Sequence, residues 1–199
     1  RRGGAQNRST ASFLQRFDCS EQKIRNGEGN RRLAGADPES RQRVQDLQPL
    51  YRHPVLPSRC SYCSFVSCNL DRDRKLVQPY VDCLCREVEA IREQADKAGL
   101  KLCSIYIGGG TPTSLSADQL RQLMGTVREN FDLSKVVEYT VEAGRPDCTD
   151  AEKLRIIKKY GATRISINPQ TFSDQVLQNI GRRHTAQDII DCFAAARAA

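Results

Sequence analysis

The sequence predicts an α/β fold with parallel strands. Three short apolar segments, at residues 102–107, 136–141 and 164–168, have the length and composition of buried strands. Amphipathic segments of helical periodicity separate them, so that a strand recurs at a spacing of roughly 25–35 residues. Strands that alternate with helices form parallel βαβ units, either in a doubly wound sheet or in a (β/α) barrel. In both folds the loops after the strands carry the chemistry.

Residues 75–98 form the first and longest predicted helix, because Leu76, Leu84 and Ile91 lie on one face of it. Gly99 ends this helix, and Ser116 caps the next one at its N-terminus. Three other helices are predicted at residues 117–130, 173–180 and 186–198. A further helix is predicted to be capped at its N-terminus by Asp150 or Thr149 and to end at Tyr160.

The composition excludes a spanning helix, a coiled coil and a collagen-like rod. The chain has 199 residues, of which 39% are hydrophobic and 28% charged, with a mean hydropathy of −0.57. Its apolar runs are far shorter than a membrane span, and no signal segment opens the chain. We therefore expect a cytoplasmic chain without a membrane partner. Because it begins without Met and stops in an Ala-rich helical segment, we expect it to be a fragment.

Residues 1–55 are expected to be irregular or disordered, ahead of a structured domain at residues 56–199. The first 50 residues show no sustained hydrophobic period. They carry ten Arg and Lys residues against six Asp and Glu residues, in a chain whose net charge is +7. These cations alternate with acids, and the only aromatic side chains among them are Phe13 and Phe17, too few to form a base-stacking surface. We therefore expect no nucleic-acid partner.

Nine cysteines in a chain without a secretory signal indicate reduced thiols rather than disulfides. Cys60 and Cys63 form a CxxC pair. A structural zinc site needs four ligands, and the sequence has no second CxxC pair. An iron–sulfur cluster needs three or four thiolates. Spacing alone leaves a metal or cluster site and a pair of ordinary surface cysteines as open alternatives.

Glycine-rich and polar residues follow the predicted strands. Residues 108–113 read Gly-Gly-Gly-Thr-Pro-Thr, and consecutive glycines let a ligand approach the backbone closely. This loop lacks the signatures of a Walker loop and of a dinucleotide-binding turn. Glu142 ends the second strand, where a carboxylate is costly unless it binds something. Gln170 follows the third strand, and the basic run at residues 181–184 could hold a carboxylate.

Together these motifs resemble the radical S-adenosylmethionine (SAM) superfamily, and most of all its oxygen-independent coproporphyrinogen III oxidases (coproporphyrinogen dehydrogenases). The matching segments lie in the family's order and spacing, at residues 57–65, 108–113, 140–147, 164–171 and 180–185. The resemblance covers residues 57–199. It implies the N-terminal half of a radical SAM (β/α) barrel.

The resemblance implies a [4Fe–4S] cluster and SAM as cofactors, and a 5′-deoxyadenosyl radical formed when the cluster reduces SAM. Cys60 and Cys63 match two cluster ligands of the family's CxxxCxxC loop. The positions that match SAM contacts are Gly109, Gly110 and Thr111 at the amino group, Glu142 near the methionyl part, Gln170 at the ribose, Arg182 at the carboxylate and Tyr62 near the adenine. The implied reaction is oxidative decarboxylation of two propionates of coproporphyrinogen III in haem biosynthesis, with a low-potential electron donor.

The family's first cluster cysteine falls at position 56, where this sequence has Leu56, which cannot ligate iron. We hypothesise a reading-frame error just before Pro57. Read one base out of phase, the codons allowed for residues 51–57 permit the family's Ile-Gly-Ile-Pro-Phe-Cys. In that case residues 1–55 are an out-of-frame translation, and their charge carries no information about binding partners.

Three other interpretations stay open. Some members of the superfamily carry haem instead of oxidising a porphyrin, and His184 is the candidate haem ligand of such a chaperone. A second interpretation is that the chain is an inactive fragment, because Leu56 replaces the first cluster cysteine. A zinc-binding module would use Cys60 and Cys63. Taken singly, Arg183 and His184 are expected to be solvated.

Overall fold

The computed structural model describes residues 46–47, 50–53, 55–64, 67–69 and 74–199. The strands are β1 (Asp46–Leu47), β2 (Leu50–His53), β3 (Val55–Leu56), β4 (Cys68–Asn69), β5 (Lys101–Leu102), β6 (Ser104–Gly109), β7 (Glu138–Glu142) and β8 (Arg164–Ser166). The helices are α1 (Val77–Ala98), α2 (Ala117–Asn130), α3 (Ala151–Lys159), α4 (Asp174–Asn179) and α5 (Ala186–Ala198).

The central sheet is parallel and has the strand order β2-β6-β7-β8. Its register places His53 opposite Gly109 and Glu142 opposite Ser166. The carboxyl ends of four strands therefore meet at one edge, which is where ligands bind in α/β folds. The prediction of an α/β fold with parallel strands is confirmed.

Strands also form inside the segment that was expected to be irregular. β2 pairs with β6 in the central sheet, and β1 pairs with β5. The expectation is therefore wrong for residues 46–47, 50–53 and Val55, because a parallel partner strand can satisfy the backbone of a segment too short to show a hydrophobic period. Residues 1–45, to which the same expectation applied, lie outside the described residues.

The helix ends follow from local capping. The Ser116 side chain accepts a hydrogen bond from the Gln119 amide, and the Gln119 side chain accepts one from the Ser116 amide. Gly99 takes a left-handed conformation, with φ of 67°, and closes α1. The first predicted helix starts later than expected because residues 74–76 form a 3₁₀ turn before α1.

The apolar core lies between the helices and one face of the sheet. α1 packs against α2. The fully buried side chains there and on the central strands are Val81, Val88, Ile105, Ile107, Leu120, Leu123, Met124, Val127, Tyr139 and Val141. Among the helices described, none is long and apolar enough to cross a membrane.

We expect Val127→Ala to lower the free energy of unfolding by about 2–3 kcal/mol, because it removes two buried methyl groups and leaves a cavity. The matched control is Val137→Ala, since Val137 is 85% exposed. It should stay within about 0.5 kcal/mol of the wild type. Urea unfolding of both variants measures the difference. Equal losses would contradict the assignment of α2 to the core.

Candidate functional site

A cavity of about 290 Å³ opens at the carboxyl edge of the central sheet. The nine residues that the resemblance matches to cluster or SAM contacts all line it: Cys60, Tyr62, Cys63, Gly109, Gly110, Thr111, Glu142, Gln170 and Arg182. The lining residues that sequence reasoning missed are Ser64, Gly144, Arg145, Ser166 and Asn168. The cavity thus collects loops that are far apart in the sequence, while the roles of the nine residues toward a ligand stay predictions.

The glycine loop after β6 is held by the carboxylate of Glu142. One carboxylate oxygen accepts the Gly109 amide at 3.0 Å, and the other accepts the Tyr106 hydroxyl. A side chain at Gly108 would lie 2.5 Å from the Tyr106 ring and 2.9 Å from the Glu142 carboxyl carbon. Gly108 therefore provides the space in which Tyr106 and Glu142 meet. This hydrogen bond to Glu142, together with burial, raises the pKa of Tyr106 to about 12.

The cysteine pair lies on a tight turn. The Cys63 amide donates to the Cys60 carbonyl at 3.0 Å, and the Arg59 guanidinium donates to the Cys63 carbonyl at 2.7 Å. The Ser61 amide donates to the Ile180 carbonyl at 3.1 Å. The turn is thereby attached to the segment that follows α4.

Gly181 lets that segment come close to the cysteine turn. Its φ is +79°, and a Cβ atom there would lie 3.3 Å from the Arg59 carbonyl oxygen. Both the conformation and the tight space favour glycine.

Arg145 is the functional candidate that the sequence did not reveal. Its side chain follows β7, only 3% of the residue is exposed, and it donates to both the carbonyl and the hydroxyl of Ser58. The same guanidinium lies 3.4 Å from the sulfur of Cys60. Arg145 lies inside the matching segment at residues 140–147, but the sequence analysis gave it no role, and no local signal shows that this Arg is buried.

Two nitrogens of the Arg182 guanidinium differ in their hydrogen bonding. Its Nη1 donates to the Gly144 carbonyl at 2.6 Å, whereas its buried Nε has no hydrogen-bond partner among the described residues. The Arg182 residue lines the cavity, and guanidinium groups bind carboxylates through charge-assisted hydrogen bonds. The predicted carboxylate site is therefore compatible with this geometry.

Gln170 has a strained backbone at the rim of the cavity. Its φ is +62°, and its amide donates to the Asn168 side chain at 3.0 Å. Non-glycine residues with positive φ are uncommon and cluster at functional sites. The short turn explains why β8 ends at Ser166, before the predicted strand end at residue 168.

His184 is buried, so the expectation that it is solvated is wrong. Its side chain is fully inaccessible, and its Nδ1 lies 3.8 Å from an Asp147 carboxylate oxygen. Burial lowers the pKa of His184, and the nearby guanidinium of Arg182 lowers it further. A fully buried ring that does not line the cavity is not accessible as a haem ligand, which removes the residue proposed for the haem interpretation. Arg183 is exposed, as expected.

The residues present fit SAM better than they fit the iron–sulfur cluster. Leu56 lines the same cavity as Cys60 and Cys63, so the position expected for a third thiolate holds a side chain that cannot ligate iron. Within the described ranges, no group of three or more His, Cys, Asp or Glu side chains could hold a metal ion. A three-thiolate cluster therefore does not fit this chain as its sequence stands.

Parallel strands, a glycine loop and a CxxC turn around one cavity define a radical SAM domain. The Radical SAM superfamily model matches residues 56–199, and the chain belongs to this superfamily.

Curated relatives of the chain are named for tetrapyrrole chemistry. It is 37% identical over 157 residues to the oxygen-independent coproporphyrinogen-III oxidase-like protein HemZ of Bacillus subtilis, covering 78% of this chain and 31% of that protein. It is 39% identical over 156 residues to the heme chaperone HemW of the same organism, covering 76% of this chain and 39% of that protein. The chain thus spans about a third of the length of these relatives.

A solved structure supports the fold. Coproporphyrinogen III oxidase (HemN) from Escherichia coli, described as a radical SAM enzyme, superposes with a TM-score of 0.66 at 27% sequence identity. The match covers 76% of this chain and 34% of that one. The half-barrel expected from the motifs is consistent with this partial coverage.

We expect Leu56→Cys to raise cluster loading from well below one to about one per chain after anaerobic reconstitution with iron and sulfide. The reason is that the variant supplies the third thiolate beside Cys60 and Cys63. Iron and acid-labile sulfide content per chain measure the loading. The control is Cys60→Ser in the Leu56→Cys background, which should lose the gain. Equal loading of the wild type and Leu56→Cys would show that position 56 is not the missing ligand.

We expect His184 to make the fold less stable in mild acid. Because its folded pKa lies below the usual 6.5, the unfolded chain binds more protons between the two values, and stability falls as the pH drops through about 6.5. Urea unfolding at pH 7.5 and pH 5 should show a smaller loss for His184→Gln than for the wild type. An equal loss in both proteins would contradict this assignment.

Proposed function

We propose that this chain binds SAM in the cavity at the carboxyl edge of its sheet, as the SAM-binding part of a protein that acts on a tetrapyrrole. The observation that carries the proposal is that nine positions chosen from the sequence line one cavity. A chance set of loop residues from five segments would not converge in this way. The superfamily of the chain and the names of its relatives support the same choice.

We assign different described residues to different chemical groups of SAM. The half-buried backbone of Gly109 and Gly110 lines the cavity and suits the ammonium group, and the guanidinium of Arg182, which lines it too, suits the carboxylate. Gln170 and Tyr62 are assigned to the ribose and the adenine on the resemblance. Tyr62 is 54% exposed at the rim, which leaves its ring available for stacking. Glu142 is assigned first to the glycine loop, because both carboxylate oxygens already accept hydrogen bonds.

For the whole protein we propose oxygen-independent oxidative decarboxylation of coproporphyrinogen III in the cytoplasm, with a low-potential electron donor and without a nucleic-acid or membrane partner. The likeness to HemZ and to the E. coli coproporphyrinogen III oxidase supports this substrate class. The reaction requires a cysteine at position 56. With Leu56 in place we assign SAM binding to the chain and no radical step.

A second candidate is a haem chaperone, and the likeness to HemW of Bacillus subtilis and of Lactococcus lactis favours it. It requires a haem site other than His184, since that side chain is buried. A haem titration followed by absorbance separates the two candidates. Saturable uptake of one haem per chain would support the chaperone, and its absence would support the oxidase.

We expect Arg182→Met to weaken the binding of S-adenosylhomocysteine by about tenfold to a hundredfold, because a charge-assisted hydrogen bond to the ligand carboxylate is lost. Isothermal titration calorimetry of the metal-free chain measures the affinity. The matched control is Arg183→Met, since Arg183 is exposed and adjacent in sequence. It should bind like the wild type. Failure of the wild-type chain to bind, or equal weakening in both variants, would overturn the proposal.

A further inference from the structure

Arg145 has a buried positive charge that serves the cysteine turn. The residue is 3% exposed. Its Nη1 donates to the Ser58 hydroxyl at 3.1 Å, and its Nη2 donates to the Ser58 carbonyl and lies 3.4 Å from the Cys60 sulfur. One guanidinium thus contacts three atoms on the segment that leads into the CxxC pair, 85 and 87 residues away in the sequence.

Among the described residues, the acceptors of Arg145 are all uncharged: the carbonyl and hydroxyl of Ser58 and the sulfur of Cys60. None of the ion pairs found among the described residues includes it. Burying a guanidinium without a carboxylate is costly, and it is tolerated where its fixed fork of donors satisfies several acceptors at once. We therefore expect the buried guanidinium to stabilise the conformation of the segment that contains Ser58 and Cys60.

Three further hydrogen bonds link the three loops to one another, and we call this arrangement the interlock. The Ser58 hydroxyl donates to the Gly181 carbonyl at 3.3 Å, and the Ser61 amide donates to the Ile180 carbonyl at 3.1 Å. Arg182 then donates to the Gly144 carbonyl, beside Arg145, at 2.6 Å. Each loop is bound to the other two, so a change in one contact reaches the whole interlock.

We propose that Arg145 is a positioning residue that holds the Cys60–Cys63 turn against the end of β7 without help from a metal. Leu56 leaves this chain without the third thiolate through which a cluster would tie the loop. In this chain the hydrogen bonds of Arg145 and of residues 180–182 hold the loop instead of a cluster. The proposal concerns the metal-free chain and does not depend on SAM binding, so the two can fail separately.

Hydrogen–deuterium exchange of the full chain, with a chelator present and no ligand, tests this role. The amides of Ser61 and Cys63 report on the turn, because Cys63 donates to the Cys60 carbonyl within it and Ser61 donates from it to the Ile180 carbonyl. Relative to the amides of α2, we expect Arg145→Met to speed their exchange by about tenfold or more, since hydrogen bonds to a charged group are lost. Arg145→Lys should fall between Arg145→Met and the wild type, because lysine keeps the charge but not the fork.

The matched control is Arg86→Met, because the Arg86 guanidinium also contacts a cysteine sulfur, that of Cys83 at 3.0 Å, on an exposed stretch of α1. It should leave the turn unchanged. If Arg145→Met unfolds the chain, Arg145→Lys is used for the test instead. The quantity compared is the exchange rate of the Ser61 and Cys63 amides divided by that of the α2 amides. A ratio above that of the wild type supports the proposal. A ratio equal to that of the wild type and of Arg86→Met overturns it.

Discussion

The parallel register of the central sheet is the constraint on which the candidate site depends. Because β2, β6, β7 and β8 all run the same way, their carboxyl ends lie at one edge, with Gly109, Glu142 and Ser166 on adjacent strands. A reversal of any one strand would move its following loop to the far edge. The apolar helices that cover the sheet therefore serve the site indirectly, by keeping this edge in register.

Hydrogen bonds from charged side chains hold the loops above that edge. On one side, Glu142 joins the Gly109 amide to the Tyr106 hydroxyl over the space left by Gly108. On the other side, Arg145 joins β7 to the cysteine turn. Hydrogen bonds from charged groups are directional and strong in a partly desolvated site. They can hold a ligand-binding shape in loops that contain many glycines.

Sequence reasoning succeeded where the signal was local. The N-cap at Ser116, the glycine at the end of α1 and the Gly-Gly-Gly loop after a strand could each be predicted from a few neighbouring residues. β2 was missed because a strand of four residues shows no period. Arg145 and His184 were missed or wrongly placed because their burial arises from loops that meet only after folding.

Chemical-shift mapping of the isotopically labelled, metal-free chain with S-adenosylhomocysteine tests most directly whether this edge of the sheet is the ligand site. The amides of Gly109, Gly110 and Gln170 are predicted to shift in a saturable way, while those of α1 stay unchanged. A second cavity lies between α3 and α5, lined by Ile157 and Phe193 among others. Shifts confined to that second cavity, or no shifts at saturating ligand, would contradict the assignment of the site to the sheet edge.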